Sequence, residues 1–323
     1  MTGAATPYLS IVYTGRNDNF GGDFNDRFFR AVRFNHDRLS AAGVRYDIVF
    51  VEWRPIPGKP LLSSLLRTEV PEVDERLTTI EVDTRYHDAF GQNPRIQFHE
   101  FIAKNAAIRR AAGSYILATN SDIYVSREVV AVLARRVLRP MVLYRATRVD
   151  LKSHLDPSAI DDAVLLDARN HERVNTLKAP LFTNAAGDFL LLDRFSYHSI
   201  GGFNEVFRIA KIHIDANFCH RASASGVLLV DIGARVYHFG EGTFHAMRSV
   251  YGKYGATAPW GQQWHKAVLY RNPSNWGLRD APLVPAGPRH FRLEFVDAAV
   301  PRLVDLAGIV RDEETERRQI SAS

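Results

Sequence analysis

Short apolar runs alternate with stretches of helical periodicity over most of the chain. Residues 8–14, 47–53 and 77–83 have the length and composition of strands, with 47–53 nearly continuous in apolar residues, and the first two end in polar or turn-forming residues. Residues 98–112, which end just before a glycine, and residues 127–138 carry apolar side chains at helical spacing. Buried strands that alternate with amphipathic helices are typical of a mainly parallel sheet with helices on its faces.

The second half of the chain is less regular. Residues 147–179 are polar and lack a clean period, which predicts an active-site flap or an insertion. From Gly240 onward the chain is rich in aromatic residues, Gly and Pro, so we expect a loop-rich C-terminal extension with an amphipathic segment at 295–310. The remaining pattern predicts strands at 141–146, 189–192, 227–231 and 236–239 and helices at 195–200 and 213–225.

One stretch, YILATNSDIYVS at residues 115–126, contains polar residues that are candidates for a binding site at the end of a predicted strand. A short buried strand leads into a polar break that places Asn120 and Asp122 on the same side of an extended chain. Ligands of α/β proteins bind at the carboxyl ends of such strands, and a carboxylate there is a hard oxygen ligand that suits Mg²⁺ or Mn²⁺. The same residue types favour turns and helix N-caps, so both interpretations stay open.

The first two strands also end in residues that are able to contact a nucleotide. The Gly/Asn/Asp-rich loop TGRNDN follows the first strand, and its Arg16 matches the two-point geometry of a diphosphate. This loop has neither the Walker spacing nor the dinucleotide-binding spacing. Glu52, at the end of the second strand, is able to accept hydrogen bonds from a base or a ribose. A surface arginine and a solvated strand-end charge are the plain alternatives.

The composition is that of a soluble globular protein, with 46% hydrophobic and 24% charged residues. The net charge of +5 comes from scattered Arg and Lys, and no nucleic-acid-binding motif is present, so an anionic small ligand is favoured over nucleic acid. A single cysteine, Cys219, and the lack of a signal-peptide pattern or a membrane-spanning run predict a cytoplasmic protein. Peripheral contact with the inner face of the cell membrane stays open.

In their order, these segments resemble the GT-A nucleotide-sugar glycosyltransferases, most closely the large family-two group, over residues 8–242. KNAAIRRAAGSYILATNSDIYV is similar to the stretch in which those enzymes carry an Asp-X-Asp motif, and GGFNE is similar to their acceptor-side turn. HIDANFCHRASASG occupies the place of their catalytic-acid helix, and VYHFGEGT supplies a later histidine. The resemblance implies an α/β, Rossmann-like GT-A domain with a leader (1–7), a nucleotide-sugar half (8–125), an acceptor and catalytic half (126–245) and an extension (246–323).

The resemblance also implies a reaction and a set of site residues. The reaction would be the metal-dependent transfer of a hexosyl-type sugar from a nucleotide diphosphate, first of all a UDP-sugar, to a saccharide or glycoconjugate hydroxyl, with inversion, in surface glycan biosynthesis. Asp122 and His238 would hold Mn²⁺ or Mg²⁺. Asp215 would be the base, and Asp188 would hold acceptor hydroxyls or serve as the base instead. The donor would be contacted by Thr14, Arg16, Asp18, Glu52, Asn105, Arg109 and Asn120.

Two positions depart from the family pattern. Asn120 stands where the first carboxylate of Asp-X-Asp is expected, and the later helix opens with Ile214-Asp215 rather than Glu-Asp. The missing carboxylate leaves open a non-catalytic glycan-binding or scaffold protein that has kept the fold. A sugar nucleotidyltransferase is a further alternative, although GRNDNFGG is a poor match to the Gly-rich opening loop of those enzymes. A core histidine at position 238, an N-cap at 215 and a turn residue at 188 are the plain structural alternatives.

Overall fold

The computed structural model describes residues 6–91, 96–208, 213–239 and 268–301. The first part of the chain alternates strands and helices, as its apolar pattern predicts. In order, these elements are β1 (Leu9–Gly15), α1 (Phe24–Ala41), β2 (Tyr46–Trp53), α2 (Leu62–Glu69), β3 (Leu77–Val82), α3 (Thr84–Phe90), α4 (Glu100–Arg110) and β4 (Tyr115–Ala118).

The second part adds further strands and shorter helices. In order, these elements are β5 (Ile123–Val125), α5 (Arg127–Arg135), β6 (Val142–Leu151), α6 (Asp162–Leu166), β7 (His171–Asn175), β8 (Leu190–Asp193), α7 (Arg194–Ile200), α8 (Ile214–Ala224), β9 (Leu228–His238), β10 (Leu283–Gly287) and β11 (His290–Leu293).

All of these strands belong to one sheet. Its order is β10-β11-β3-β2-β1-β4-β8-β6-β9-β5, and β7 pairs with β6 outside this path. The stretch from β11 to β4 is parallel throughout, whereas β8 pairs antiparallel with both β4 and β6. The predicted α/β class with a mainly parallel central sheet flanked by helices is therefore confirmed.

The central parallel strands β1, β2 and β4 are buried on both faces because helices pack on each side. Alternate residues of β1 enter different cores, as the two-residue period of a strand requires. Val12 packs in the core that contains Ile102 of α4, while Ile11 packs in the core that contains Phe28 and Val32 of α1. Packing against helices on both faces fixes the carboxyl end of β1, where the site described below is found.

The structure corrects several predicted elements. Residues 227–231 and 236–239 are not two strands but one, β9, and Gly233 adopts a positive φ of 71° inside it, where the register with β6 shifts. β6 continues to Leu151, so the predicted flap at 147–179 begins inside the sheet and also contains α6 and β7. The C-terminal extension supplies β10 and β11 to the edge of the sheet beside β3. The pairing of β9 with β6 and of β11 with β3 joins residues that are distant in sequence, so local pattern does not reveal it.

Some expectations fall outside the described residues. These include most of the leader, the segment 240–267 and everything after Pro301, and with them the greater part of the predicted amphipathic segment and the tail. Within the described ranges, no helix is both long enough and apolar enough to cross a membrane.

Candidate active site

A cavity of about 280 Å³ opens at the carboxyl end of β1, beside the turn that follows β4. Thr14 and Gly15, the last residues of β1, line it, and the Thr14 carbonyl accepts a 2.9 Å hydrogen bond from Ser121 Oγ. That bond ties the turn after β4 to the end of β1. The rest of the wall contains the polar or charged side chains of Arg16, Asp18, Arg27, Gln97, Glu100, Asn120, Asp122 and His238 and the rings of Phe20, Phe24 and Phe98.

Asp122 lies between two basic side chains in this wall. Arg27 of α1 is buried and donates from Nη1 to Asp122 Oδ2, while its Nε donates to Asp23 at 3.0 Å. His238, at the end of β9, brings Nε2 within 3.5 Å of the same Asp122 oxygen. Burial alone would raise the pKa of Asp122, but His238 and Arg27 lower it to about 2. The carboxylate is therefore ionised at neutral pH.

The His238 ring is held by carboxylates from both sides. Its Nδ1 lies 3.3 Å from Asp150 Oδ1, while Nε2 faces Asp122. The strand register explains this geometry, because β9 aligns His238 with Ile123 of β5 on one side and with Asp150 of β6 on the other. Burial alone would lower the pKa of His238, but the two carboxylates raise it to about 10.

Asn120 connects the cavity wall to a second charged group. Its Nδ2 donates to Asp188 Oδ1 at 2.7 Å, and its Oδ1 accepts from Lys104 Nζ at 2.8 Å. Lys104 also donates to Glu100 at 2.7 Å, and Arg148 donates to Asp188 Oδ2 at 2.7 Å. Both ends of the Asn120 amide are thus bonded within the protein, which fixes its orientation.

The two sequence-predicted catalytic carboxylates lie outside the cavity wall and have different surroundings. Asp188 is 2% exposed, and its oxygens are bonded to Asn120 and Arg148, so it suits the positioning of Asn120 better than proton transfer. Asp215 is partly exposed in the first turn of α8, and its Oδ2 accepts from the Gly187 amide at 2.7 Å. A Cβ at Gly187 would lie 3.4 Å from that oxygen, which is van der Waals contact, so Asp215 packs directly against this glycine.

Glu52, predicted to contact the nucleotide, does not line the cavity. It is fully buried, and its two oxygens accept from the backbone amides of Leu62 and Ser63, at 3.0 and 3.1 Å, at the start of α2. Burial raises the pKa of Glu52 to about 7. Its observed role is to satisfy amides that a helix N-terminus leaves without partners.

Asn105 and Arg109 also lie away from the cavity wall. The Asn105 side chain donates to the Phe203 carbonyl and to Glu205, both at 2.8 Å, and accepts from the Phe203 amide at 2.7 Å. The Arg109 guanidinium lies 4.1 Å from the centroid of the Trp276 ring and donates to the Trp276 carbonyl at 3.2 Å. Both side chains therefore join α4 to neighbouring segments of the fold.

Arg16 and Asp18 do lie in the wall, at the loop that follows β1. Arg16 donates from Nη1 to the Gln97 carbonyl at 2.9 Å, and its Nε lies 3.2 Å from Asp18 Oδ2. The rings of Phe20 and Phe98 line the same cavity, and Phe20 is 40% exposed. Aromatic faces beside guanidinium groups are suited to a planar base linked to phosphates.

The residues present fit a divalent cation that shares its coordination with a ligand. No three described His, Cys, Asp or Glu side chains form a complete metal site. Asp122 and His238 nevertheless converge within 3.5 Å, and the far ring nitrogen of His238 faces a carboxylate, as in many metal-binding histidines. Mg²⁺ beside phosphates usually takes only one or two protein carboxylates. Such an ion would have to compete with Arg27 for Asp122 and to displace the proton that the raised pKa of His238 keeps on Nε2 at neutral pH.

Three residues of this site escape prediction from the sequence, namely Arg27, Lys104 and Asp150. Arg27 lies in an amphipathic helix, where an arginine is normally assigned to the solvated face. Lys104 gives a better signal, because its neighbours in FIAKNAAI are apolar on several sides, which is typical of a helix that is buried all round. Asp150 lies in a stretch without clean periodicity, so only the register between β6 and β9 reveals its partner.

Comparison with known proteins gives structural neighbours only. No protein-family model and no curated protein matches the chain. It is similar to GalNAc-T7 with UDP, GalNAc and Mn²⁺ (11% identity, TM-score 0.43), covering 73% of this chain and 43% of that one. It is also similar to S. aureus TarS 1-349 in complex with UDP-GlcNAc (11%, 0.40; 80% and 70%) and to the catalytic domain of Drosophila β1,4-galactosyltransferase 7 in complex with xylobiose (12%, 0.35; 70% and 63%).

These neighbours are GT-A-type glycosyltransferases, the group that the sequence resembles. The chain spans less than half of the GalNAc-T7 chain that it matches. Identities of 11% and 12% and TM-scores below 0.5 carry no argument about the fold or the substrate of this chain.

Proposed function

We propose that the chain is a glycosyltransferase that takes a nucleoside diphosphate sugar, with a UDP-sugar as the first donor to test, and transfers the sugar to a saccharide or glycoconjugate hydroxyl. One observation carries this proposal. The loop after β1, the Asn120-Ser121-Asp122 turn and His238, which are far apart in sequence, line a single cavity of about 280 Å³. A cavity at the carboxyl ends of parallel strands is where α/β proteins bind nucleotides.

The wall offers a separate contact for each part of such a donor. Arg16 and Arg27 are guanidinium groups that match phosphate oxygens, and Phe20 and Phe98 offer ring faces to a base. Asp122 and His238 would hold Mn²⁺ or Mg²⁺, and when bound this ion supplies positive charge to the leaving diphosphate. This division of the wall accounts for the presence of guanidinium groups, the Asp122 carboxylate and aromatic rings in one small space.

Asp215 is the proposed base for the acceptor. In an inverting transfer the acceptor oxygen forms a bond to the anomeric carbon while the bond from that carbon to the diphosphate oxygen breaks, and the acceptor proton passes to the base. The partial exposure of Asp215 supports this role, and its bond to the Gly187 amide fixes its direction. The paired and buried Asp188 supports the site indirectly through Asn120.

The test is calorimetric binding of UDP, GDP, CDP, ADP and dTDP, each with and without Mn²⁺, to the full chain and to Asp122→Ala. We expect one diphosphate to bind, and we expect its Mn²⁺-dependent part to be lost in the variant. Asp26→Ala is the control, because Asp26 is exposed on the neighbouring helix and pairs with Arg30 at the surface.

Other outcomes decide between the alternatives. If no diphosphate binds the wild type, the chain is instead a non-catalytic glycan-binding or scaffold protein. If a nucleoside triphosphate and a sugar phosphate react with release of pyrophosphate, the chain is a nucleotidyltransferase. Unchanged Mn²⁺-dependent binding in Asp122→Ala would remove Asp122 from the donor site.

A further inference from the structure

Four large apolar side chains are exposed at the end of the sheet that lies opposite to the cavity. Phe195 is 75% exposed, Leu228 62%, Val137 56% and Met141 42%. They come from three separate segments, namely the connection between α5 and β6, the start of α7 and the start of β9. Apolar side chains exposed together on a folded domain commonly mark a contact surface.

These segments are in direct contact. The Leu228 amide donates to the Met141 carbonyl at 3.0 Å, and Ser196, next to Phe195, lies with its Oγ 3.3 Å from Met141 Sδ. The Met141 amide also donates to Asp193 at 2.8 Å, which fixes the end of β8 against the start of β6. We call the exposed surface formed by residues 135–141, 194–195 and 228 the basic apolar patch.

The charge of the basic apolar patch is entirely positive. Arg135, Arg136, Arg139 and Arg194 are exposed within it, and the segments 135–144, 194–200 and 223–228 contain no Asp or Glu. The nearest carboxylate in sequence, Asp193, is buried and is bonded to backbone amides. The patch therefore combines exposed apolar side chains with a positive electrostatic potential that attracts anions.

The strand directions place this patch far from the cavity. β9 begins at Leu228, in the patch, and ends at His238, in the cavity wall. The stretch of β6 that pairs with it, from Val142 opposite Leu228 to Asp150 opposite His238, is eight residue steps, which cover roughly 26 Å. A flat surface that binds the basic apolar patch would therefore leave the cavity open to water on the other side of the domain.

We propose that the basic apolar patch binds the surface of an anionic phospholipid membrane. Arginines attract the lipid headgroups, while Phe195, Leu228 and Met141 enter the interfacial region. A two-fold dimer through the same patch is disfavoured, because it would bring the four arginines of one copy against those of the other. A soluble polyanion would pair with the arginines but would leave the apolar tips in water.

The test uses the full chain and sedimentation with vesicles of phosphatidylcholine alone or with phosphatidylglycerol. We expect binding to the anionic vesicles to exceed binding to the neutral ones by at least roughly tenfold, since each basic residue near the surface contributes to attraction. Phe195→Ser/Leu228→Ser and, separately, Arg135→Gln/Arg139→Gln should each lower binding to anionic vesicles by about tenfold. Val174→Ser is the matched control, because Val174 is 44% exposed but lies in β7, outside the patch.

Three results would overturn the proposal. The first is that the wild type does not bind anionic vesicles. The second is that Phe195→Ser/Leu228→Ser binds them as well as the wild type does while the arginine variant fails to bind soluble polyphosphate, which would assign the patch to polyanions. The third is a concentration-dependent dimer, seen by light scattering, that the apolar variant abolishes. The folded state of each variant is checked by its melting temperature, and nucleotide binding serves as an independent readout.

Discussion

Asp150 shows how a single buried residue organises the candidate site from outside the cavity. It is 0% exposed and contacts Arg148 at 2.9 Å, Arg173 at 3.0 Å, Asn175 at 2.9 Å and His238 at 3.3 Å. Burial alone would raise its pKa, but the adjacent His238 ring and the charge of Arg148 hold that pKa well below its ordinary value. An ionised Asp150 therefore faces Nδ1 of His238 and leaves Nε2 directed toward Asp122.

Asp150→Asn should consequently weaken binding of Mn²⁺ even though Asp150 does not line the cavity. Loss of a carboxylate behind a metal-binding histidine usually costs about 10–100-fold in metal affinity. The measurement is a Mn²⁺ titration followed by electron paramagnetic resonance. Arg173→Gln is the control, because it removes a different contact of Asp150 and leaves His238 untouched. A lower melting temperature with unchanged Mn²⁺ affinity would mean that Asp150 only supports the fold.

The proposed base makes a prediction that separates binding from turnover. Asp215→Asn retains an oxygen for the Gly187 amide, so the local structure and donor affinity should be preserved. The variant does not accept a proton, and we expect kcat to fall by about 10²–10⁴-fold. The measurement is sugar transfer together with donor affinity, and Asp280→Asn at an exposed turn is the control. If kcat is unchanged in Asp215→Asn, another group takes the acceptor proton.

At the residue scale, sequence reasoning locates a side chain where a strand end alone fixes its position. Asp122, Asn120 and Arg16 follow buried strands, so their meeting at one edge of a parallel sheet follows from chain direction. It does not succeed for Glu52, although that residue also ends a strand. The start of α2 lies against Glu52 and uses both of its oxygens, and no local pattern indicates where that helix packs.

At the scale of single elements, the connection from α4 to β4 shows a similar limit of prediction from sequence. The sequence predicts a helix that continues to Ala112 and ends at Gly113, but α4 ends at Arg110. Gly113 is required for a different reason. A Cβ there would lie 2.4 Å from the Ser10 backbone nitrogen and 2.7 Å from Ser10 Oγ, and the Gly113 amide donates to that oxygen at 2.8 Å. The glycine thus allows the close approach of this connection to β1.

Gly113→Ala should destabilise the fold through this close approach. The added methyl group meets backbone rather than a movable side chain, so β4 has to shift from β1, and we expect a loss of about 3 kcal/mol or more in the free energy of unfolding. Gly226→Ala is the matched control, because Gly226 has a φ of +80° but a Cβ added there would meet nothing within 4 Å. That variant should lose only about 1 kcal/mol. Equal losses in urea unfolding of the two variants would contradict the proposed contact.

At the scale of the whole molecule, the apolar pattern predicts the parallel half of the sheet better than the rest. β1 and β2 are mostly apolar runs that are buried on both faces, so their strand character is visible in sequence. β10 and β11 are short, and LVPAG contains a proline, so neither has a clear strand pattern. They belong to the sheet because β11 pairs with the edge strand β3. The paired residues are more than two hundred positions apart in sequence.

Glu205 links this late segment to the earlier core. It is 3% exposed, and its Oε1 accepts from Asn105 Nδ2 and from the Gly277 amide, both at 2.8 Å. Burial raises the pKa of Glu205 to about 7, from an ordinary value of 4.5, although these two bonds act in the opposite direction. The folded protein therefore holds a proton on Glu205 in a range of pH where the unfolded chain has released it.

This difference predicts how stability changes with pH. Between about pH 4.5 and 7 the folded state binds more protons than the unfolded state, so the contribution of Glu205 to stability is complete below pH 4.5 and is lost as pH rises through about 7. Glu205→Gln keeps the accepting oxygen and carries no charge. The free energy of unfolding of Glu205→Gln minus that of the wild type should therefore increase as pH rises, by on the order of 3 kcal/mol for a pKa shift of this size.

The measurement is urea unfolding of the wild type and Glu205→Gln at several values of pH from 4 to 8, with the difference between the two proteins plotted against pH. Glu294→Gln, at an exposed position, is the control and should show no trend. Glu52 has a similarly raised pKa and is common to both proteins, so its contribution cancels in the difference. A difference that stays constant over this range would show that Glu205 is ionised in the fold at the same pH as in the unfolded chain.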